Sequence, residues 1–344
     1  MHPVTQVFLK GGRFIVMLLL FLSLGIAALW NLQIDDIVLS EIWEQSNGLY
    51  FLSALLLISL SMPFVALRWR SFFPVEVKKD SSALMLTGFL AAAFVLNLAL
   101  PGPVGEALSA GMAQRKYKIS FSHALASLGL SRILGLASAC GISGLVYWFA
   151  PFEIDPKWSF TLQSAAVFLV LSSSVLVAIA FLPQKTADVL NSIPHPKVLN
   201  PLWRIADQFL NALQETLDLG WKSYGESFFW AVLGHTMVAL GIYVATIAIG
   251  IEASWSAILF TYAASIAASI VMFLLPGSSV GWDLLFATTL SATTNMHLLE
   301  AGAITAIIRI QQLLVALLGA GVIWSVAGEL LQSAMEDAQR AESQ

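Results

Sequence analysis

The stretch Asn97-Leu98-Ala99-Leu100-Pro101-Gly102-Pro103-Val104-Gly105-Glu106 breaks an apolar run that extends over residues 83–113. Proline removes a backbone donor and blocks the preceding turn, and glycine lets the chain reverse. Basic residues flank the run on both sides: Lys78 and Lys79 before it, Arg115, Lys116 and Lys118 after it. Under the positive-inside rule both flanks lie on the cytoplasmic face of a membrane. Two full crossings need about 20 helical residues each, more than the 31 residues from 83 to 113 supply. The expectation is a re-entrant helix hairpin. Its irregular tip is tolerated only where it is buried in protein or lines a cavity.

A second interruption, Leu275-Pro276-Gly277-Ser278-Ser279, falls inside the apolar run 255–294. Its flanking connections, 251–254 and 295–302, carry Glu252 and Glu300 and no lysine or arginine, so both are expected outside. This run has 40 residues, so two tilted crossings remain open beside the hairpin reading, with the same parity. The rest of the chain has the matching composition: 58% hydrophobic and 11% charged residues, with a mean hydropathy of +0.80. A water-soluble chain of 344 residues cannot cover its surface with so few charges. The net charge of −4 and the lack of a basic patch interleaved with aromatics argue against nucleic-acid binding. Cys140 is the single cysteine, so no intrachain disulfide can form; a small core role is expected.

The apolar runs are 14–32, 49–67, 83–113, 121–149, 161–182, 227–250, 255–294 and 303–326. Lys10 and Arg13 precede the first, which is longer than a typical signal-peptide core and lacks a convincing small-residue cleavage site, so it is read as the first span. Charge parity gives the order span, span, hairpin, span, repeated once in the opposite sense. The predicted fold is an all-α polytopic membrane protein in one domain over 1–344. It has two inverted-topology repeats, about 14–149 and 161–326, each of three spans plus a re-entrant helix hairpin. Both termini are expected in the cytoplasm, as is the connection 183–225. Within it, residues 201–219 space Leu202, Ile205, Phe209, Leu213 and Leu217 as an amphipathic helix. The tail after 327 is charged and expected to fray.

Four ionisable residues fall at membrane depth: Glu106, Arg132, Asp283 and Arg309. Each arginine follows its acid by 26 residues (132−106 and 309−283). An unpaired charge at the bilayer centre costs at least about 2.5–3.5 kcal/mol, so these residues should pair, face a hydrated cavity, or both. The functional expectation is a site for an anionic substrate. Half-helices starting at Val104 and near Gly281 present free N–H groups, and the arginines add planar forks suited to phosphate oxygens. The alternative is a pair of structural locks, with each acid stabilised in a first helical turn. Gly102, Gly105, Gly277 and Ser278 complete the candidate substrate site at the breaks.

Asn97, one turn before Pro101, is expected to satisfy carbonyls freed by the break or to touch substrate. His235 is read as a hydrogen-bonded packing residue with a proton-carrier alternative. His123 and His297 have no metal-ligand partners at useful spacing. Gln311 and Gln312 could extend the polar network of Arg309. Gly141, Gly144, Gly319 and Gly321 suit close helix packing, and Trp148, Trp158, Trp255 and Trp324 suit interfacial belts. No nucleotide-binding glycine pattern, serine nucleophile elbow or zinc-type histidine pair is present. No cofactor, metal or catalytic residue is therefore assigned, and ATP-driven pumping by this chain alone is not expected.

Leu67-Arg68-Trp69-Arg70 at the end of the second span, the segment Asn97 to Glu106, Ser131-Arg132, Leu275-Pro276-Gly277 and Arg309 together carry a resemblance. Over nearly the whole chain they resemble the lysylphosphatidylglycerol synthase transmembrane (flippase-like) family. Gly281-Trp282-Asp283 stands where that family usually has a glycine-rich turn and a glutamate. The resemblance implies a stand-alone translocase of a phospholipid or lipid-linked substrate in a bacterial inner membrane, without aminoacyl transfer. Two other functions remain open on sequence grounds. One is a membrane-embedded enzyme or subunit acting on lipid phosphates through Glu106 or Asp283. The other is a scaffold that holds a lipid-synthesis enzyme through 183–225.

Overall fold

The computed structural model describes residues 46–99, 104–150, 152, 154, 156–192, 213, 214, 216, 219–272, 278–294 and 296–342. Among them every regular element is an α-helix, with no strand. In chain order these are α1 (Gly48–Arg70), α2 (Val75–Asp80), α3 (Ala83–Ala99), α4 (Val104–Tyr117), α5 (Phe121–Phe149), α6 (Pro156–Phe181) and α7 (Pro183–Ser192). They continue with α8 (Gly220–Ala248), α9 (Trp255–Met272), α10 (Ser278–Thr294) and α11 (Leu298–Glu342). The expected first span, 14–32, lies outside the described residues, as do Gly102 and Gly277 at the two breaks.

Five helices are long and apolar enough to cross a membrane: Gly48–Arg70, Phe121–Phe149, Pro156–Phe181, Gly220–Ala248 and Leu298–Ser325. Helix α6 exposes Phe160, Phe168, Leu171 and Val175, an apolar surface that water would not tolerate but lipid would. The two interrupted runs are built differently. Each contains two shorter helices, α3 with α4 and α9 with α10, packed side by side. Contacts near the α3–α4 break join Asn97 to Gly105, and contacts farther back join Phe89 to Ser109, so the pair is antiparallel. The Trp282 indole donates to the Ser265 carbonyl and Thr261 bonds Thr293, so α9 and α10 are antiparallel as well.

The ends of the helices gather in two groups. At one end Phe72 at the foot of α1 lies beside Tyr224 of α8, its carbonyl meets His123 of α5, and Lys78 pairs with Glu226. Tyr117, which ends α4, packs on Phe73. At the other end Asn47 donates its backbone N–H to the Ala248 carbonyl, while Ile249 and Met296 share one cluster. Arg70, Lys78, Lys79, Arg115, Lys116 and Lys118 all fall at or beside the first group, and Glu252 and Glu300 fall at the second. Helix starts are closed by ordinary caps. Asn47 accepts from Leu49 N–H, and Ser120 from His123 N–H. His297 N–H donates to Glu300, three residues into the next turn.

Helices α1 and α8 form the central contact, built on small residues. A Cβ on Gly241 would come within 3.0 Å of the Ala54 carbonyl, and one on Gly234 would touch Phe64 at 3.5 Å. Around this pair, α3 packs on α11 and α9 packs on α5; α4 packs on α5 and α10 on α11. Helix α1 also meets α3 as α8 meets α9, and α8 meets α5 as α1 meets α11. Of the four glycines expected at close contacts, three are there. A Cβ on Gly141 would meet Ser173, one on Gly144 would overlap Val170, and one on Gly319 would overlap the Ala91 carbonyl. Among the described residues nothing comes within 4 Å of a Cβ on Gly321, so the close packing expected there is not seen among them.

Most of 201–219 lies outside the described residues. Leu213 and Thr216 are buried, and Leu213 packs in one cluster with Phe72 and Tyr224. Cys140 is a buried free thiol against Leu169 and Ala267. Trp148, Trp158, Trp255 and Trp324 are all exposed on the outside of the bundle.

Candidate functional site

Helix α4 begins at Val104 as the proline break dictates, and Glu106 occupies its first turn. Close approach to α3 is what makes Gly105 a glycine: a Cβ there would overlap the Ala93 carbonyl and crowd Asn97. Asn97 does something other than serve carbonyls freed by the break. Its Oδ1 accepts the Gly105 N–H at 2.9 Å, and its Nδ2 donates to both Glu106 oxygens at 3.2 Å. The start of a helix leaves N–H groups without intrahelical partners, and an amide oxygen can take one while its nitrogen holds the nearby carboxylate. Glu106 is thereby fixed, with its side chain 13% exposed, and it meets Arg132 Nη2 at 2.7 Å. The Arg132 side chain is 50% exposed.

The second half places Asp283 and Arg309 together in the same way. Here Arg309 Nε donates to the two carboxylate oxygens at 2.8 and 2.9 Å, and Nη2 approaches Oδ1 at 2.6 Å. Nη1 donates to Gln312, which confirms one of the two glutamines expected near it. The guanidinium also lies 5.7 Å from the centre of the Trp282 ring, which stacks on Phe286. Both partners are about one-third exposed, 29% for Arg309 and 31% for Asp283.

The register differs between the halves. Helix α10 starts at Ser278, earlier than the expected start near Gly281. Asp283 is therefore beyond the first turn, and stabilisation by the helix N-terminus, which falls off within one turn, does not explain it. The arginines, by contrast, are in matching places. Each lies 11 residues from the start of its helix, 132−121 in α5 and 309−298 in α11. That distance is about 16 Å.

A third polar group adjoins Arg132 and was not assigned from sequence. Arg68 of α1 is buried, and its Nε donates to Ser131 Oγ at 3.0 Å. His235 Nε2 lies 2.8 Å from the Gly135 carbonyl, which can only accept, so that nitrogen carries the proton. Its Nδ1 then accepts from Tyr262 OH at 3.2 Å. The packing role expected for His235 fits these two bonds. No signal in the sequence separates Arg68 from its basic neighbours, because all of them read alike as topology markers. Among the described residues no group of three or more His, Cys, Asp or Glu is arranged to hold a metal.

Fold and site together define a helical membrane protein in which two interrupted segments each carry an acid paired with an arginine of a later helix. A family model, the lysylphosphatidylglycerol synthase TM region, matches residues 12–319. The chain belongs to this family, as the motif around Pro101 and the Arg132 and Arg309 positions led us to expect. No curated protein and no solved structure matches it.

Proposed function

We propose that this protein translocates a phospholipid or lipid-linked substrate with an anionic or polar headgroup between the leaflets of a bacterial inner membrane. The observation that carries the reading is the doubled ion pair. Glu106–Arg132 and Asp283–Arg309 have one spacing, lie equally far along helices α5 and α11, and each adjoins a break in an apolar run. A structural lock does not need to occur twice beside a broken helix. Broken helices at matching places in two halves are the usual construction of a transporter's binding site.

In this reading α1, α3, α4 and α5 form one repeat with the first span, and α6, α8, α9, α10 and α11 form its inverted counterpart. The packing partners support it: the contacts α1–α3, α3–α11, α4–α5 and α1–α11 have counterparts in α8–α9, α9–α5, α10–α11 and α8–α5. The α3–α4 and α9–α10 pairs are re-entrant hairpins entering from opposite faces. The basic end of the bundle is cytoplasmic and holds both termini. Headgroup oxygens are bound by Arg132 and Arg309 with the N–H groups at the starts of α4 and α10. Glu106 and Asp283 hold the arginines until substrate competes for them. In this reading the protein acts as a transporter.

Proteoliposomes containing a headgroup-labelled anionic lipid and a membrane-impermeant quencher test this directly. The expected result is transbilayer movement that falls roughly tenfold in Arg132→Ala and in Arg309→Ala. Movement unchanged by both substitutions would remove the site assignment, and no movement of any anionic lipid would remove the function.

A further inference from the structure

Arg68 behaves unlike an arginine in the last turn of a membrane helix. Such residues ordinarily extend toward the interface and the last carbonyls, and Arg70 does so, donating Nε and Nη2 to the Lys78 carbonyl at 3.1 and 2.8 Å. Arg68 is turned into the bundle and is 9% exposed. Side chains on a helix lean toward its N-terminus, which carries this guanidinium away from the basic end. Helix α5 makes room for it. Ser131 accepts from Nε at 3.0 Å, and one turn later Gly135 leaves a space that any Cβ would fill, overlapping the guanidinium.

The charges around it do not balance. Among the described residues no carboxylate pairs with Arg68, and no acceptor takes its two terminal nitrogens. The charged side chain close enough to act on it is Arg132, the residue after Ser131. His235 and Tyr262 also face it, bonded to each other and to the Gly135 carbonyl. Arg132 is matched by Glu106 at 2.7 Å. Arg68, Arg132 and Glu106 therefore sum to one positive charge (+1 +1 −1). An uncompensated guanidinium at this depth is costly, and its planar fork fits phosphate oxygens.

We propose that Arg68 and Arg132 together form a phosphate site that selects a headgroup carrying a single net negative charge. The inference rests on the translocase reading and narrows its substrate class. Arg68 supplies the buried fork, and Arg132 is the exposed partner through which the headgroup enters. A headgroup such as that of phosphatidylglycerol neutralises the site. Lysylphosphatidylglycerol, with one phosphate and two ammonium groups, adds positive charge to it and is disfavoured.

The test is equilibrium binding to the purified full chain in neutral detergent, using tail-labelled phosphatidylglycerol, lysylphosphatidylglycerol and diacylglycerol. Phosphatidylglycerol is expected to bind roughly tenfold more tightly than either of the others. Arg68→Gln should abolish that preference, and Arg70→Gln should keep it. Competition by inorganic phosphate at the lipid's own concentration assigns the site to the free anion; resistance to it assigns the site to the headgroup. A preference that survives Arg68→Gln overturns the proposal. Should that variant not fold, equal binding of the three lipids to the unaltered protein overturns it instead. Lipid movement with selectivity independent of Arg68 would defeat this inference alone. Arg68-dependent selectivity without any movement would defeat the translocase reading alone.

Discussion

Glu106–Arg132 and Asp283–Arg309 share a spacing and a depth but differ in how the arginine is restrained. Arg309 is held by both oxygens of Asp283, by Gln312 and by the face of Trp282. Arg132 meets Glu106 through one nitrogen and is half exposed; in that half it is the acid that is fixed, by Asn97. In the proposed translocase the first pair therefore offers guanidinium donors to a headgroup, and the second is a clamp that must be opened. The two ion pairs are restrained differently: one has a rigid acid and an available base, the other a rigid base.

That contrast has measurable consequences. The largest concerns Asp283→Ala, which strands a guanidinium only 29% exposed. We expect about 2.5–3.5 kcal/mol of destabilisation in thermal unfolding of the detergent-solubilised protein. Glu106→Ala leaves an arginine that already reaches solvent and should cost less than half as much; equal losses would contradict the contrast. Next comes Gly105→Ala, whose Cβ would meet the Ala93 backbone carbonyl, which cannot move as a side chain could. It should cost about 1–3 kcal/mol. The control is Gly111→Ala, in open space, which should change stability by no more than about 0.5 kcal/mol.

Asn97→Leu removes both the acceptor for Gly105 N–H and the donors to Glu106. A loss of about 1–3 kcal/mol is expected, with Arg132 freed as Glu106 becomes mobile. The smallest single contribution is the cation–π contact, about 0.5–1 kcal/mol of the loss in Trp282→Leu, which also removes the indole bond to the Ser265 carbonyl and the stack on Phe286. A larger loss in that variant than in Asp283→Ala would mean that packing on Phe286, and not the ion pair, holds the second site.

Much of this architecture could be read from the residues. Phe121 and Phe149 bound both the apolar run and the helix, because Ser120 supplies a cap and uninterrupted apolar residues supply the length. The arginine partners of Glu106 and Asp283 were also legible, since a charge at membrane depth requires a partner. Other features depend on shape that hydropathy does not encode. Asn97 could have faced either end of the broken ladder, and only the packing of α3 on α4 shows that it serves an N–H. The start of α10 at Ser278 is one that the sequence leaves open, since nothing in the serine-serine pair places it ahead of Gly281. Arg68 was hidden by its own composition: four basic residues near one helix end look alike until a glycine on another helix shows which one turns inward.

The paired halves stand or fall on the direction from which each broken segment enters the membrane. In a Cys140→Ser background, single cysteines at Ser82 and Lys118 flank the first segment, and single cysteines at Ser254 and His297 flank the second. The measurement is labelling by a membrane-impermeant thiol reagent from each side of oriented vesicles. The account predicts that Ser82→Cys and Lys118→Cys react only from the cytoplasmic side, and Ser254→Cys and His297→Cys only from the opposite side. Reaction of Ser82→Cys and Lys118→Cys from different sides would make the first segment a crossing, and the inverted halves would be lost.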